Sequence, residues 1–262
     1  LCTEGPDKKL NKTQNTQPAI FTLSMIIDKL LRENEIIPLF VAGHSLGEYS
    51  ALASAGVFDL KTGVELVRKR GIIMNEADPQ NKGAMAAIIG LNIEEVEEIC
   101  SSTEGICEIA NHNSPQQIVV TGENKSVKLV MDNARERGAK RAILLKVSGA
   151  FHSPLMKSAQ LKLEKAIHKY EFNMPKACFV QNIVGKKVNK AEEIKKLLVK
   201  QLTGRVRWVN SMNFIIKQGV NIFIEVGPGR TLKGLLKRIN PSVNVYTTDN
   251  NKQLIKVLSD LK

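Results

Sequence analysis

Residues 39–56, LFVAGHSLGEYSALASAG, run from a short apolar segment through a glycine-flanked serine into a helix-like segment. The apolar residues before Gly43 do not alternate with polar ones, which is typical of a strand covered on both faces. A strand, the pattern Gly-x-Ser-x-Gly and a helix in this order predict a nucleophile elbow, although a plain glycine-rich turn is the simpler alternative. Ser45 is therefore the candidate nucleophile. We expect that glycine is required at Gly43 and at Gly47, because side chains there would collide with the neighbouring strand and helix.

The composition is that of an ordinary globular chain of 262 residues, with 43% hydrophobic and 24% charged residues. Such a length suffices for one large domain or for a domain with a smaller insert. No apolar run approaches the ~20 residues of a membrane span, so we expect no membrane association. The four cysteines form no CxxC pair, which gives little support to a metal site or a disulfide framework.

The net charge of +12 arises from 38 basic and 26 acidic residues and favours acidic partners. Aromatic residues make up only 5% of the chain, and no motif of a nucleic-acid-binding fold is present. We therefore expect no nucleic-acid partner.

Residues 83–147 differ in pattern from the rest of the chain. They predict strand, helix, strand, strand, helix and strand, which is the βαββαβ order of a ferredoxin-like unit. The flanking segments mix helix and strand patterns as in a parallel α/β sheet. We therefore predict an α/β fold with a hydrolase-like parallel-sheet core, formed by residues 1–82 and 148–262, that carries the nucleophile elbow. Residues 83–147 are expected to form an inserted ferredoxin-like subdomain.

A serine nucleophile needs a base near neutral pH, and histidine is the usual one. The chain has four histidines, His44, His112, His152 and His168. His44 adjoins Ser45 and is expected to point elsewhere, whereas His168 lies in a charged helical segment. His152, in VSGAFHSPLM, lies where the chain returns from the insert to the core. From this stretch alone, a catalytic base and a structural histidine are equally good interpretations.

Five motifs occur together and in order: GHSLGEYSALASAG, LVRKRGIIMNEA, NHNSP, GAFHSPLM and EVGPGRTLKGL. They resemble the malonyl-CoA:acyl carrier protein transacylase family, whose domain serves fatty acid and polyketide synthesis. The similarity covers the whole chain. It implies that Ser45 attacks the malonyl thioester while His152 accepts its proton and returns it to the leaving thiol. A malonyl-serine ester then remains until the phosphopantetheine thiol of acyl carrier protein attacks.

The resemblance implies further site residues. A backbone carbonyl orients the histidine in this family, and the carry-over gives that contact to Gln201. The backbone N–H of Leu46 is an oxyanion donor. Arg70 matches the arginine that binds the malonyl carboxylate, which suits the two parallel hydrogen bonds of a guanidinium. Taken alone, an arginine near a helix end is more typical of a surface residue that compensates the helix dipole.

Three assignments concern the surroundings of the site. Asn111 and Asn113 resemble an asparagine-containing loop that borders the active site, and a turn before Pro115 explains them about equally well. The Gly-Pro-Gly sequence at 227–229 resembles a loop near the active site, or is only a turn at a strand end. Phe151, directly before His152, resembles the pattern of members that use malonyl and not methylmalonyl groups.

Members of the family begin with a strand and a GQGxQ loop, whose glutamine N–H is the second oxyanion donor. This sequence contains no GQGxQ. We therefore expect a truncated chain whose oxyanion hole is incomplete. Since one such donor accounts for about a hundredfold to a thousandfold in rate, these residues alone are expected to have lost activity.

The implied substrates are malonyl-CoA, a coenzyme A thioester, and the phosphopantetheine carried by acyl carrier protein, with no bound cofactor and no metal. We expect a monomer in the cytoplasm, or in a plastid or mitochondrion after import. Two alternatives remain, a serine thioesterase or hydrolase and a non-catalytic fragment of a larger synthase. A basic surface could dock the acidic carrier protein or simply be solvated. It is formed either by Lys186, Lys187, Lys195 and Lys196 or by Arg205 and Arg207.

Overall fold

The computed structural model of the chain describes residues 4–78, 80, 82–147 and 149–261. Cys2 and Ser148, the predicted first residue after the insert, lie outside the described residues. The helices are α1 (Asp7–Leu10), α2 (Thr13–Glu33), α3 (Gly47–Ser54), α4 (Leu60–Asn75), α5 (Ile93–Ser102), α6 (Asn124–Glu136), α7 (Lys157–Ile167), α8 (Ala191–Lys200), α9 (Trp208–Lys217), α10 (Thr231–Ile239) and α11 (Asn251–Asp260). The strands are β1 (Phe40–Ala42), β2 (Gly83–Ile89), β3 (Cys107–Ser114), β4 (Gln117–Glu123), β5 (Arg141–Leu144), β6 (Cys178–Val180), β7 (Ile222–Glu225) and β8 (Asn244–Thr247).

Parallel pairing defines the part of the fold that contains the elbow. β1 pairs with β6 in parallel, with Phe40 opposite Cys178 and Ala42 opposite Val180. β7 and β8 form a second parallel pair. Because parallel strands point the same way, the residues that follow β1 and β6 meet at one edge of the pair. Ser45 follows β1 at that edge.

Residues 83–147 contain the six predicted elements in the predicted order. Their four strands form an antiparallel sheet with the order β3-β4-β2-β5. Alternate residues of β2 face opposite ways, since Ala86 and Ile88 pack in one hydrophobic cluster and Met85 and Ala87 pack in another. The first cluster includes α5 and α6, and the second includes α3 and α4. The sheet is therefore covered on both faces, and the predicted mixed α/β architecture is confirmed.

The structure corrects the expectation for Asn111 and Asn113. Both lie within β3, which extends to Ser114, and not in a loop. The strand has two register shifts, one between Ile109 and Asn111 and one between His112 and Ser114. Such irregularities redirect side chains without ending the strand. A polar stretch before proline therefore resembles a turn in sequence although it is paired in the sheet.

The elbow needs only one of its two glycines for steric reasons. A Cβ atom on Gly43 would lie 1.9 Å from the Gly47 carbonyl oxygen, far inside van der Waals contact. A Cβ atom on Gly47 would meet no described atom within 4 Å. The expected collision at Gly47 is therefore wrong, because this residue opens α3 with its Cα facing open space.

Among the described residues, no helix is both long enough and apolar enough to cross a membrane. No group of three or more potential metal-ligating side chains is found in the same part of the chain.

We expect Gly43→Ala and Gly47→Ala to differ sharply in stability. Gly43→Ala forces backbone atoms apart and should lower the free energy of unfolding by about 1–3 kcal/mol or more. Gly47→Ala should leave it within about 0.5 kcal/mol or raise it slightly, because alanine favours helix. Urea unfolding of both variants measures this difference. Equal losses would contradict the steric account.

Candidate active site

The Ser45 side chain lies at the turn between β1 and α3. Its backbone has φ of +52°, a left-handed conformation that a non-glycine residue rarely adopts. The Oγ atom lies 2.9 Å from Nε2 of His152. Of the four histidines considered in the sequence, the structure therefore brings His152 to Ser45.

The other ring nitrogen of His152 forms a hydrogen bond with the main chain. Its Nδ1 lies 2.7 Å from the carbonyl oxygen of Gln201. Since a carbonyl only accepts hydrogen bonds, Nδ1 carries the proton and Nε2 of the neutral ring is free to accept one from Ser45. The His152 backbone N–H donates to the Leu202 carbonyl at 3.1 Å, and φ of His152 is +60°. Two successive carbonyls just after α8 thus hold this residue, Gln201 through the ring and Leu202 through the backbone.

The environment of His152 favours its neutral form. Burial lowers the pKa of the ring to about 3, and the positive charge of Arg70 acts in the same direction. The hydrogen bond to the Gln201 carbonyl opposes this shift but is the smaller effect. A ring in this state is available as a proton acceptor at neutral pH.

Arg70 lies in α4 with only 2% of its surface exposed, so it is not the surface residue that RKRG alone suggests. Its Nη1 donates to Oε1 of Gln17 at 2.8 Å. Its Nη2 donates to Ser45 Oγ at 2.9 Å and to Oε1 of Gln201 at 3.2 Å. Among the described residues no carboxylate forms an ion pair with it, and its Nε has no hydrogen-bond partner. A buried cation beside Ser45 that forms no ion pair in the described part of the chain is suited to an anionic ligand.

The Gln201 side chain connects several parts of the site. Its Nε2 donates to the Ser45 carbonyl at 2.9 Å and makes a short hydrogen bond to Oε2 of Glu48. Because Oε1 accepts from Arg70, the side-chain amide of Gln201 links the elbow to the buried cation. The backbone carbonyl of the same residue holds His152. Gln201 is fully buried, so this linkage is shielded from water.

Glu48 is a buried carboxyl group that sequence analysis missed. It is completely buried, and burial raises its pKa to about 8, whereas hydrogen bonds from Gln201 and Asn182 and the charge of Arg70 oppose the rise. In sequence, an acidic residue in the first turn of a helix is typical of dipole compensation at the surface. Only its position three residues after Ser45 hints at the site.

Asn182 also escaped the sequence analysis. It follows β6, at the edge where the ends of β1 and β6 meet. Its Oδ1 accepts the Ser45 backbone N–H at 2.9 Å, and its Nδ2 donates to the Gly43 carbonyl at 2.7 Å. A polar pair directly after a short apolar strand was the available signal, because parallel strands place such residues together.

The backbone N–H of Leu46 is free to donate. Among the described residues, no hydrogen-bond acceptor takes it, whereas the N–H groups of Gly47, Glu48 and Tyr49 bond within the turn. Since the Ser45 N–H is taken by Asn182, Leu46 supplies the open donor of the elbow, beside the N-terminus of α3.

The two asparagines of β3 differ in their contacts. Oδ1 of Asn113 lies 2.7 Å from Nε2 of His44, the residue before Ser45. Asn111 is buried, and its Nδ2 has no hydrogen-bond partner among the described residues. β3 thus reaches the elbow through His44, while neither amide hydrogen-bonds to Ser45 or His152 in the described structure.

Other predicted residues lie around or away from this cluster. Phe151 is buried in the same hydrophobic cluster as α3 and α4, and His168 is exposed. Gly227 donates its N–H to Thr248 Oγ1. In the described part of the chain no hydrogen bond joins the 227–229 turn to Ser45 or His152.

The basic candidates divide by their contacts. Lys195 pairs with Glu192 at 3.5 Å, and Arg205 pairs with Glu97 at 2.6 Å. For the remaining four, no ion pair is found among the described residues: Lys186, Lys187, Lys196 and Arg207.

Comparison with known proteins decides the family. A family described as "Acyl transferase domain" matches residues 1–247. The chain belongs to the acyl transferase family. A malonyl CoA-acyl carrier protein transacylase of Bacillus subtilis is 41% identical over 265 residues, which cover 100% of this chain and 84% of the relative. The corresponding protein of Staphylococcus aureus strain MRSA252 is 42% identical over 97% of this chain and 80% of its own length.

Solved structures of such acyltransferases have the same fold. The malonyl CoA-acyl carrier protein transacylase of Clostridium perfringens superimposes with a TM-score of 0.96 at 39% identity, covering 100% of this chain and 83% of the other. A second structure is described as a type II PKS acyl-carrier protein in complex with its malonyl-transacylase. It has a TM-score of 0.95 and 42% identity over 98% of this chain and 84% of the other.

We expect the imidazole resonances of His152 to stay constant between about pH 5 and pH 8, because its lowered pKa keeps the ring neutral throughout this range. NMR titration of the protein measures this, with His152→Gln assigning the resonance. Between about pH 6.5 and pH 3 the His152 ring is protonated in the unfolded chain but stays neutral in the folded protein. This residue therefore lowers the free energy of unfolding as the pH falls through that range. A midpoint near 6.5 would contradict the burial of the ring.

Proposed function

We propose that this acyltransferase moves the malonyl group from malonyl-CoA to the phosphopantetheine thiol of acyl carrier protein through a malonyl-serine intermediate. One observation carries the proposal: Ser45 Oγ lies within hydrogen-bond distance of both His152 Nε2 and Arg70 Nη2. A nucleophile with a neutral base on one side and a buried cation on the other fits a substrate that has both a thioester and a free carboxylate. The relatives named as malonyl CoA-acyl carrier protein transacylases support the same substrates.

The first half-reaction begins as Ser45 Oγ attacks the thioester carbonyl of malonyl-CoA and its proton passes to Nε2 of His152. The Leu46 N–H stabilises the negative charge that develops on the carbonyl oxygen. When the carbon–sulfur bond breaks, the coenzyme A sulfur takes the proton from His152. A malonyl ester on Ser45 and free coenzyme A result.

The second half-reaction repeats these steps in reverse. The phosphopantetheine thiol of the carrier protein attacks the ester carbonyl, and His152 takes the thiol proton. As the bond to Ser45 breaks, His152 returns the proton to Oγ. The carrier protein leaves with the malonyl group, and the protein is ready for another cycle without a bound cofactor.

Arg70 selects the malonyl group by pairing with its free carboxylate. This pairing has a second effect on the base. The charge of Arg70 lowers the pKa of His152, so a carboxylate that offsets this charge makes the ring a stronger base. A malonyl substrate therefore makes the proton transfer from Ser45 to His152 more favourable. An acetyl group, which lacks the carboxylate, gives neither benefit.

Gln201 orients His152 through its carbonyl and needs no acidic third residue. A neutral amide carbonyl fixes the tautomer of the ring without adding a negative charge beside the malonyl carboxylate. Asn111 and Asn113 belong to the substrate-binding surroundings in this proposal. Nδ2 of Asn111, which has no partner in the part of the chain that the structure describes, and the Asn113 contact with His44 support that assignment.

The finer architecture is also part of the proposal. We assign residues 1–82 and 148–262 to a hydrolase-like catalytic subdomain and residues 83–147 to a ferredoxin-like one, which the β3-β4-β2-β5 order supports.

The protein works as a cytoplasmic monomer, with import into an organelle as the alternative location. Basic candidates that form no ion pair with the described residues, including Lys186 and Lys187, meet the acidic carrier protein.

Incubation of the full-length protein with malonyl-CoA should add one malonyl mass to it, and Ser45→Ala should abolish this adduct. Intact mass spectrometry measures the adduct before and after addition of phosphopantetheinylated carrier protein, to which the mass should transfer. A folded full-length wild-type protein without an adduct would contradict the proposal. An adduct lost to water as fast as to the carrier would favour a hydrolase.

Arg70→Ala should remove the preference for malonyl-CoA over acetyl-CoA. A charged hydrogen bond contributes about 1.5–3 kcal/mol, so the ratio of the two loading rates should fall roughly tenfold to more than a hundredfold. The matched control is Arg68→Ala, since Arg68 lies in the same helix but is exposed. Loading of each thioester is followed by mass spectrometry. Equal losses for malonyl and acetyl groups would argue against the carboxylate contact.

A further inference from the structure

The side chain of Asn182 bridges the two peptide groups that flank His44, directly before Ser45. Its Oδ1 accepts the N–H of Ser45 at 2.9 Å, and its Nδ2 donates to the carbonyl of Gly43 at 2.7 Å. One amide therefore forms hydrogen bonds with the backbone both before His44 and after it. Neither bond involves the Ser45 hydroxyl or the His152 ring.

The conformation that this amide grips is unfavourable by itself. Ser45 has φ of +52°, where the Cβ atom of an L-residue crowds its own backbone. Such a conformation persists only when the surroundings over-determine it. It is also the conformation in which Ser45 Oγ lies 2.9 Å from His152 Nε2 and 2.9 Å from Arg70 Nη2.

Asn182 is itself immobilised. It is completely buried, its carbonyl oxygen accepts the Arg207 N–H at 2.8 Å, and its N–H donates to Glu48 Oε1 at 3.4 Å. Nε2 of Gln201 lies 3.4 Å from Oδ1 and fixes which end of the amide accepts. The side chain therefore has one orientation in which both elbow contacts form.

We propose that Asn182 is a positioning residue that holds the Ser45 backbone in its left-handed conformation so that Oγ stays between His152 and Arg70. This inference rests on the proposed role of Ser45 as nucleophile. Asn182 acts through Ser45 and contacts no substrate. Its loss should therefore lower the fraction of molecules with a correctly placed hydroxyl and leave substrate binding nearly unchanged.

Two variants of Asn182 test this proposal. Asn182→Ala removes both contacts. Asn182→Asp keeps the acceptor for Ser45 but presents an oxygen to the Gly43 carbonyl where a donor is needed. In both, kcat for malonyl transfer should fall about tenfold or more, while KM for malonyl-CoA changes less than about twofold. A tenfold loss corresponds to about 1.4 kcal/mol.

Two control variants separate positioning from general effects. Asn210→Asp makes the same chemical change at an exposed asparagine in α9. Val130→Ala removes buried volume from the core beneath α6 and reports what a loss of stability alone does to kcat. Both should retain wild-type kcat at a temperature where they are folded, as checked by circular dichroism.

A second readout does not depend on the malonyl substrate. A fluorophosphonate labels nucleophilic serines, and its rate of reaction with Ser45 should fall in parallel with kcat in both Asn182 variants. If the full-length wild-type protein reacts with the fluorophosphonate but forms no malonyl adduct, the proposed function fails while the positioning role is still measured.

Three results would overturn the proposal. One is a kcat within twofold of wild type in Asn182→Ala, and another is a loss confined to KM. The third is failure of both Asn182 variants to fold, because the side chain would then be needed for the fold as a whole and not selectively for Ser45.

Discussion

The left-handed turn at Ser45 is the constraint on which the rest of the site depends. β1 and α3 can meet so tightly only because Gly43 has no side chain, since a Cβ atom there would overlap the Gly47 carbonyl. The turn directs the Ser45 hydroxyl away from its own strand and towards His152. It also leaves the Leu46 N–H without a partner among the described residues. A nucleophile and an open hydrogen-bond donor thus arise from one backbone conformation.

Burial decides the electrostatics around this turn. His152 is kept neutral chiefly because water is excluded, with the charge of Arg70 as a second cause. Glu48 is pushed towards its protonated form by the same exclusion of water. Arg70 therefore stands as the main uncompensated charge beside Ser45. An acyl group that brings its own carboxylate supplies the missing counter-ion.

Elements distant in sequence meet at Gln201. Its carbonyl orients the His152 ring, and its side chain contacts the elbow, Arg70 and Glu48. Such an arrangement explains how a histidine can serve as base without an acidic partner. The carbonyl holds the ring in the required tautomer, and the buried amide keeps the carbonyl in place.

The sequence by itself determined the elements and the chemistry that are local or carried by motifs. The strand, the glycine pattern and the helix around Ser45 predicted the elbow. The pattern of residues 83–147 predicted the βαββαβ order that the structure contains. Family motifs named His152, Arg70 and Gln201, which the structure brings to Ser45. These features depend on neighbouring residues or on spacing along the chain.

Only the tertiary structure decided which polar residues are buried and against what. Glu48 resembles a surface residue of a helix and Asn182 resembles the end of a strand, yet both are completely buried beneath Ser45. Asn111 and Asn113 resemble a loop, yet strand pairing holds them in β3. Gly47 resembles a steric necessity and faces open space. The burial of Glu48 and Asn182 depends on contacts between residues more than a hundred positions apart, including the one that joins these two, and no local pattern encodes it. The partner strand of β3 is close in sequence, but the polar residues of β3 do not indicate that pairing.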